Sequence, residues 1–238
     1  MKAMEELIRT GLAELGINAP QEAPRLLARY GQMLVEKNRV MNLTAITEPG
    51  DVATLHMLDC AALLNCADLN GKALIDVGTG AGFPGVPLKI LAPTLDVTLL
   101  DSLNKRVDWL SEICGELDLA GIRAVQGRAE EAGRNPEFRE RFDFATARAV
   151  AELRVLCELC LPFVKVGGFF LAMKGVDCGG ELEDALPAIQ TLGGRVERCF
   201  DYAIPHTNVT HRVVVVEKTA ETPEQYPRRW TKLQKRPL

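Results

Sequence analysis

The spacing of apolar residues changes near residue 70 of this 238-residue chain. Before that point apolar residues recur at intervals of three and four, which predicts amphipathic helices over 4–15, 24–40 and 51–66. Asp51 is expected to cap the third helix at its N-terminus. After that point short apolar runs alternate with helical segments, a pattern typical of a doubly wound, mostly parallel α/β sheet. The predicted strands are 73–77, 96–100, 122–126, 142–147 and 168–173.

A glycine-rich turn follows the first predicted strand. Residues 73–85 read ALIDVGTGAGFPG, in which Asp76 closes the apolar run before the first glycine. Glycine lets a backbone approach a ligand closely and adopt positive φ where a turn requires it. A second apolar run, about 20 residues later, ends in Asp101, at the spacing where αβ cofactor folds place a ribose-binding carboxylate. The pattern therefore predicts a nucleotide cofactor at this edge of the sheet.

Two cofactors fit this turn. Residues 80–85 satisfy the G-x-G-x-x-G pattern of sites for a nicotinamide or flavin dinucleotide. Asp76 favours S-adenosylmethionine instead, because a carboxylate would repel a pyrophosphate but attract a cationic sulfonium or ammonium. A strand-to-helix turn without any ligand is the third interpretation.

Two further apolar runs, 195–202 and 212–217, predict a closing antiparallel hairpin. Four consecutive valines at 213–216 fit a strand that is covered on both faces. A last strand inserted into the sheet by such a hairpin distinguishes class I methyltransferases from dinucleotide-binding folds. The predicted fold is therefore an α/β, Rossmann-like methyltransferase sheet, mostly parallel. We expect three units: a helical N-terminal extension (1–70), a sheet domain (71–220) and a basic C-terminal tail (221–238).

Composition limits the class of protein. The chain is 47% hydrophobic and 25% charged, as expected of a globular protein with a sizeable core. Its seven cysteines suit a reducing compartment, and without an apolar segment for a bilayer or a signal peptide we expect a cytoplasmic protein. The net charge of −4 argues against indiscriminate nucleic-acid coating. Residues 226–238, however, carry five basic residues and no acid, which indicates either a local RNA contact or a solvated tail.

Several motifs together closely resemble one bacterial family. They are MNLTAI (41–46), HMLD (56–59), DVGTGAGFPGVPLKI (76–90), LDSLNKRV (100–107), GRAE (127–130), RAVA (148–151) and YPR (226–228). The chain is thereby identified as resembling the small-subunit rRNA methyltransferase G family, also called glucose-inhibited division protein B. The resemblance covers most of the chain from about residue 40 onward. Cys60, where a serine is common, and Trp230, in a tail usually richer in glycine, depart from it.

The resemblance implies an activity and a substrate. Members of the family methylate N7 of one guanine in 16S rRNA with S-adenosylmethionine, so we expect that cofactor and the small ribosomal subunit or its precursor as partner, with the protein as a monomer. A small-molecule methyltransferase and a noncatalytic RNA-binding assembly factor remain alternatives. Guanine N7 carries a free lone pair at neutral pH, so neither a general base nor a metal is expected.

Candidate site residues come from the resemblance and from the pattern together. The cofactor-binding set is Asp76, Gly78, Gly80, Gly82, Phe83, Asp101, Ala129, Glu130 and Arg148. Asp76 is expected to act through the backbone or a water near the ammonium. Asp101 is expected to bind the ribose hydroxyls, with a helix N-cap as its alternative role. Ala129 and Glu130 are expected to meet adenine, with a surface turn as the alternative.

A second set is expected to face the RNA. Arg148 and Lys174 are assigned to positioning the guanine, and the RNA-contacting residues are Asn42, His56, Asp59, Lys105, Arg106, Arg228 and Arg229. His56 and Asp59 lie three apart and share a helix face, so they are expected to position groups or to form an ordinary surface pair. Lys105 and Arg106 have an alternative too, as partners of Asp108 or Glu112 on a solvated helix.

Overall fold

A seven-stranded sheet forms the centre of the computed structural model, which describes residues 1–238. Its strands are β1 (Ala73–Val77), β2 (Asp96–Asp101), β3 (Ile122–Gln126), β4 (Phe142–Arg148), β5 (Val164–Gly175), β6 (Gly194–Ala203) and β7 (Thr210–Lys218). They lie in the order β3-β2-β1-β4-β5-β7-β6. The first five pair in parallel, and β7 is antiparallel to both β5 and β6. The predicted sheet with an inserted hairpin strand is confirmed.

Helices cover the sheet and precede it. They are α1 (Lys2–Glu14), α2 (Ala23–Met41), α3 (Pro49–Asp51), α4 (Asp59–Ala61), α5 (Gly85–Leu91), α6 (Asn104–Glu116), α7 (Ala129–Ala132), α8 (Leu153–Cys160), α9 (Gly179–Thr191) and α10 (Trp230–Lys235). A π-helical segment, Val52–Leu58, joins α3 to α4, and a 3-10 turn, Ala62–Asn65, follows. None of the helices has the length and apolar character required to cross a bilayer.

The third predicted helix begins earlier than expected. Its first turn starts at Pro49, and Asp51 makes no capping hydrogen bond, so the prediction of an Asp51 cap is wrong. Proline suits a first helical position because its missing N–H would have no partner there and its φ is already helical. The fifth strand also begins earlier, at Val164 rather than 168, because an irregularity in its pairing with β4 accommodates Gly167 and Gly168.

The core lies on both faces of the sheet. One cluster of 41 buried residues joins the N-terminal helices to one face, and a second cluster of 25 lies on the other face with α8 and α10. The four valines of β7 alternate between them: Val213 and Val215 belong to the first cluster, Val214 and Val216 to the second. The boundaries expected near residues 70 and 220 therefore separate sequence patterns that share one packed interior.

Hydrogen bonds from arginine side chains join the segment after β7 to the sheet domain. Arg139 Nη2 donates to the Thr222 carbonyl at 2.5 Å, and Arg134 Nε donates to the Pro227 carbonyl at 2.8 Å. The fully buried carboxylate of Glu158 on α8 accepts from Arg228 Nε at 2.8 Å and from its backbone N at 2.7 Å. Leu233 of α10 is buried. The C-terminal segment is thus packed on the domain rather than solvated.

Candidate functional site

A cleft of about 460 Å³ opens at the edge of the sheet where β1, β2 and β4 end. In the sheet, β1 lies between β2 and β4, so the order in which strands are added reverses there, and open α/β sheets bind ligands at such a switch point. Nine of the residues expected at the site line the cleft: His56, Gly78, Gly80, Phe83, Asp101, Arg106, Ala129, Glu130 and Arg148. They are nine of the 22 residues that line the cleft.

Glycines are required at two points of the turn after β1. Gly78 has φ +69°, and a Cβ there would lie 2.9 Å from Val150 Cγ2 across the cleft. Gly82 has φ +96°, and a Cβ there would lie 2.7 Å from the hydroxyl of Tyr30. That buried hydroxyl donates to the carbonyl of Ala81, so α2 supports the turn from below. Gly78 faces the cleft, whereas Gly82 faces the core.

Asp76 holds this turn together from behind the cleft wall. Its fully buried Oδ2 accepts from Thr79 Oγ1 at 2.6 Å and from the backbone N of Gly85 at 2.9 Å. Its Oδ1 has no hydrogen-bond partner, and burial raises the pKa of the carboxyl to about 6. Asp76 does not line the cleft. Of its two expected roles, the contacts support backbone positioning.

Most hydrogen-bond acceptor positions of Asp101, at the end of β2, are occupied by donors of the protein. Oδ2 accepts from the backbone N of Gly80 at 2.9 Å and from Arg106 Nη1 at 3.3 Å, and Oδ1 accepts from the backbone N of Leu103 at 2.9 Å. A carboxylate offers about four acceptor positions, so one remains on Oδ1. Asp101 thus caps the turn before α6 and still has a position for one hydroxyl of a ligand.

Arg148 ends β4 and organises the side of the cleft opposite Asp101. Its Nη1 donates to Asp59 Oδ2 at 3.0 Å and to the Leu55 carbonyl at 3.1 Å, and its Nη2 donates to His56 Nδ1 at 2.9 Å. Its guanidinium carbon also lies 4.8 Å from the ring centroid of Phe83. Nε and the second Nη2 hydrogen have no protein partner, so they remain as donors.

His56 is held as a neutral ring. It stacks on Phe83 with ring centroids 4.3 Å apart. Burial, with the charge of Arg148, lowers the pKa of His56 to about 3. Since Nδ1 accepts from Arg148, Nε2 carries the hydrogen and donates to Thr44 Oγ1 at 2.9 Å. Both ring nitrogens are therefore engaged, and His56 has no free lone pair with which to accept a proton.

Asp59 anchors this group from the interior, outside the cleft lining. Its Oδ1 accepts from the Tyr202 hydroxyl at 2.7 Å and from His211 Nδ1 at 2.8 Å. Burial alone would raise the pKa of Asp59, but these bonds and Arg148 hold it below its usual value. The hydrogen bond between His211 and Asp59 raises the pKa of His211. Local sequence gave no signal for Tyr202 or His211, which meet only through the register of β6 and β7.

Two basic residues expected at the RNA or guanine have protein partners instead. Lys174 lies outside the cleft, where its Nζ contacts Glu181 Oε1 at 2.5 Å and the Ala151 carbonyl at 3.0 Å. Arg228 neutralises the buried Glu158. The expectation that Lys174 meets the guanine is not supported, because α9 brings Glu181 to the end of β5 and engages the ammonium there.

The remaining residues expected to contact RNA are exposed next to residues that line the cleft, and we call this surface the rim. Asn42 is exposed and follows the last residue of α2 in the left-handed conformation, with φ 49°. Lys105 is exposed in the first turn of α6, and Arg229 is exposed next to α10. Lys105 does not pair with Asp108 or Glu112, because Asn104 and Lys37 contact those carboxylates. Sequence reasoning assigned no role to Trp230, Thr44 or Val150, which also line the cleft.

The similarity of the chain to known proteins shows its family. Residues 24–209 match the family model described as rRNA small subunit methyltransferase G. The chain belongs to this family. The chain is 44% identical to the ribosomal RNA small subunit methyltransferase G of Alkaliphilus oremlandii over 99% of both chains. It is 45% identical to that of Pelotomaculum thermopropionicum over 100% of both.

Several solved structures share the fold of this chain. TrmN from Thermus thermophilus superposes with a TM-score of 0.51 at 24% identity, over 67% of this chain and 48% of that one. A putative RNA methyltransferase from Pyrococcus horikoshii gives 0.51 at 17% identity, over 75% and 89%. The predicted S-adenosylmethionine-dependent rRNA methyltransferase with a Rossmann-like sheet is confirmed.

The residues at the cleft fit S-adenosylmethionine. A side chain at Gly78 would fill space beside Val150, so the glycine leaves room for a ligand against the backbone. Asp101 lines the same cleft and keeps one acceptor position for a ligand hydroxyl, whereas the unpaired Asp76 oxygen is buried outside the lining. The three arginines of the lining, Arg106, Arg128 and Arg148, each have a carboxylate oxygen within 4.0 Å, so their charges are already paired and do not form a free site for a pyrophosphate.

Proposed function

We propose that this methyltransferase modifies N7 of one guanine in 16S rRNA, within the small ribosomal subunit or its precursor. The observation that carries the proposal is that the glycine turn and the group of Arg148, His56 and Phe83 line one cleft. S-adenosylmethionine supplies a methyl group activated by an adjoining sulfonium. The cleft thus offers one wall for the donor and another for the base that accepts.

The donor wall, which would bind the methyl donor, is formed by the glycine turn after β1 and by the end of β2. Gly78 and Gly80 would hold the methionine part against the backbone, and the remaining acceptor position of Asp101 would accept from one ribose hydroxyl. Ala129 and Glu130 at the start of α7 hold the adenine side. Asp76 acts through the turn, by fixing Thr79 and Gly85.

The acceptor wall positions the base without taking a proton. Guanine N7 presents a lone pair and is unprotonated at neutral pH. The two unpartnered donor hydrogens of Arg148, on Nε and Nη2, suit guanine O6 and leave N7 free. Alignment of reacting atoms contributes up to about 7–11 kcal/mol. We therefore assign Arg148 to positioning and His56 to supporting Arg148 and Phe83.

The rim of the cleft supplies cations for RNA phosphates. Lys105, Arg229, Lys232 and Lys235 are exposed, and none has a carboxylate oxygen within 4.0 Å. Replacement of Arg229, Lys232 and Lys235 by Gln should lower the log–log salt slope of RNA binding by about 0.7–0.9 for each phosphate contact. Replacement of Arg9, Arg25 and Arg195, which are exposed but paired with carboxylates, removes the same number of cations and is the matched control. An unchanged slope in the rim variant would show that the tail does not contact RNA.

One labelling experiment tests the proposed substrate. The protein is incubated with S-adenosylmethionine labelled in its methyl group and with small subunits, large subunits or a small-molecule extract. We expect label in the RNA of small subunits alone. Label in large subunits or in the extract would contradict the proposal. We further propose that the protein acts in the cytoplasm as a monomer.

A further inference from the structure

Trp230 at the start of α10 lines the donor cleft, although it lies in the C-terminal segment. Its indole is partly buried and packs against the apolar cluster that contains Leu159, as Ala129 does. Those two residues line the cleft as well, on the side where β3 ends. A partly exposed indole at that side offers an apolar, flat surface to a molecule bound in the cleft.

The protein fixes Trp230 in this place from both ends of α10. Two residues before Trp230, the backbone N and the guanidinium of Arg228 donate to the buried Glu158, at distances of 2.5 to 3.0 Å. At the other end, Arg228 Nη1 donates to the carbonyl of Arg236 at 3.0 Å. A buried carboxylate must keep its partner, because an unpaired charge in the interior is costly. The indole is therefore held against the cleft before any ligand enters.

We propose that Trp230 forms one wall of the adenine subsite and stacks on the base of the methyl donor. Gly127, Ala129 and Glu130 surround the same end of the cleft, and an adenine ring presents a flat face that an aromatic ring can cover. The C-terminal segment is thus part of the donor site as well as of the rim that faces RNA. The inference rests on the cofactor and not on the RNA target, so binding assays without RNA test it alone.

Affinity for two ligands distinguishes a contact with adenine from a contact with methionine. S-adenosylhomocysteine carries both parts, whereas 5′-methylthioadenosine carries the nucleoside without the amino acid. We expect Trp230→Ala to weaken both ligands by the same factor of about ten, as for removal of one stacked aromatic ring, when measured by calorimetry. Trp230→Phe should retain most of the affinity, because it keeps a ring.

Fluorescence gives a test with the C-terminal segment intact. The chain has two tryptophans, and Trp109 is buried on α6 away from the cleft. In Trp109→Phe, either ligand should quench the emission of Trp230 and bind with unchanged affinity. Wild-type affinity in Trp230→Ala, a loss confined to S-adenosylhomocysteine, or unchanged emission in Trp109→Phe would overturn the proposal.

Discussion

Arg148 and Asp59 form a buried ion pair between the end of β4 and the helical segment before the sheet, with Nη1 3.0 Å from Oδ2. The two residues are 89 positions apart in the sequence. Through Arg148 the pair fixes His56 and Phe83 on the cleft wall, and through Asp59 it reaches Tyr202 and His211. The N-terminal helices therefore help to build the site.

Replacing Asp59 by Asn should destabilise the protein by about 3–5 kcal/mol, because Arg148 would remain buried without its counter-charge. The measurement is urea unfolding followed by circular dichroism. Asp201→Asn is the matched control: it breaks the more exposed pair with Arg212 and should cost much less, because solvent screens exposed charges. Equal losses in the two variants would contradict a special role for the Arg148 pair.

Replacing Gly78 by Val should abolish binding of S-adenosylmethionine. A side chain there would take up ligand space and meet Val150, in a backbone conformation with φ +69° that β-branched residues avoid. Gly16→Val is the control, because Gly16 has the same φ and no atom within 4 Å of an added Cβ. Calorimetry should show binding in the control only. Comparable affinity in both variants would show that the ligand does not approach Gly78.

Sequence reasoning predicted the elements that local pattern determines. The strands β1 to β4, the glycine turn and Asp101 stand where the apolar runs and their spacing indicated. It could not predict which charges meet across the fold. Lys174 pairs with Glu181 and Arg228 with Glu158 because helices α9 and α8 bring these carboxylates there, and no local period encodes that approach.

The contacts of His211 show the same limit. Its bond to Asp59 joins positions 152 residues apart, and it exists only because β7 returns beside the helical segment. Trp230 reaches the cleft for a related reason, since Arg228 anchors the residues around it. Hydrophobic periodicity identifies which face of an element is buried but not which distant side chain lies opposite.

Asp76 should make stability depend on pH with a definite sign. Burial raises its folded pKa to about 6, above the ordinary 3.8, so between these values only the folded state holds the proton. Wild-type stability from this group therefore falls as pH rises from about 4 to 6, by about 3 kcal/mol in total. Asp76→Asn lacks this loss, so the difference in unfolding free energy, variant minus wild type, should rise over that window.

The control for Asp76 has the opposite sign. Arg212 holds the pKa of Asp201 below its ordinary value, so wild type gains stability from that group as pH rises. The difference for Asp201→Asn should therefore fall with pH. Unfolding titrations of both variants at several pH values provide the comparison. If the difference in unfolding free energy between Asp76→Asn and wild type did not change with pH, the pKa of the Asp76 carboxyl would not be raised.

His56 should not act as a general base. Its pKa near 3 keeps the ring neutral well below the working range, and both nitrogens are engaged. Single-turnover methylation should be nearly flat between about pH 6.5 and 9, and His56→Gln should lose less than about tenfold in rate. A rate that rises tenfold per pH unit would instead reveal an obligatory deprotonation and an amine or hydroxyl acceptor.

The chemical identity of the methylated base tests the central claim most directly. Small subunits from a bacterial strain that lacks its own enzyme are incubated with the protein and S-adenosylmethionine, and the RNA is digested and mapped by mass spectrometry. We predict one 7-methylguanosine per 16S rRNA, in a single oligonucleotide, and none with Gly78→Val. A methyl group on an exocyclic amine or a ribose, or no methyl group in 16S rRNA, would contradict it.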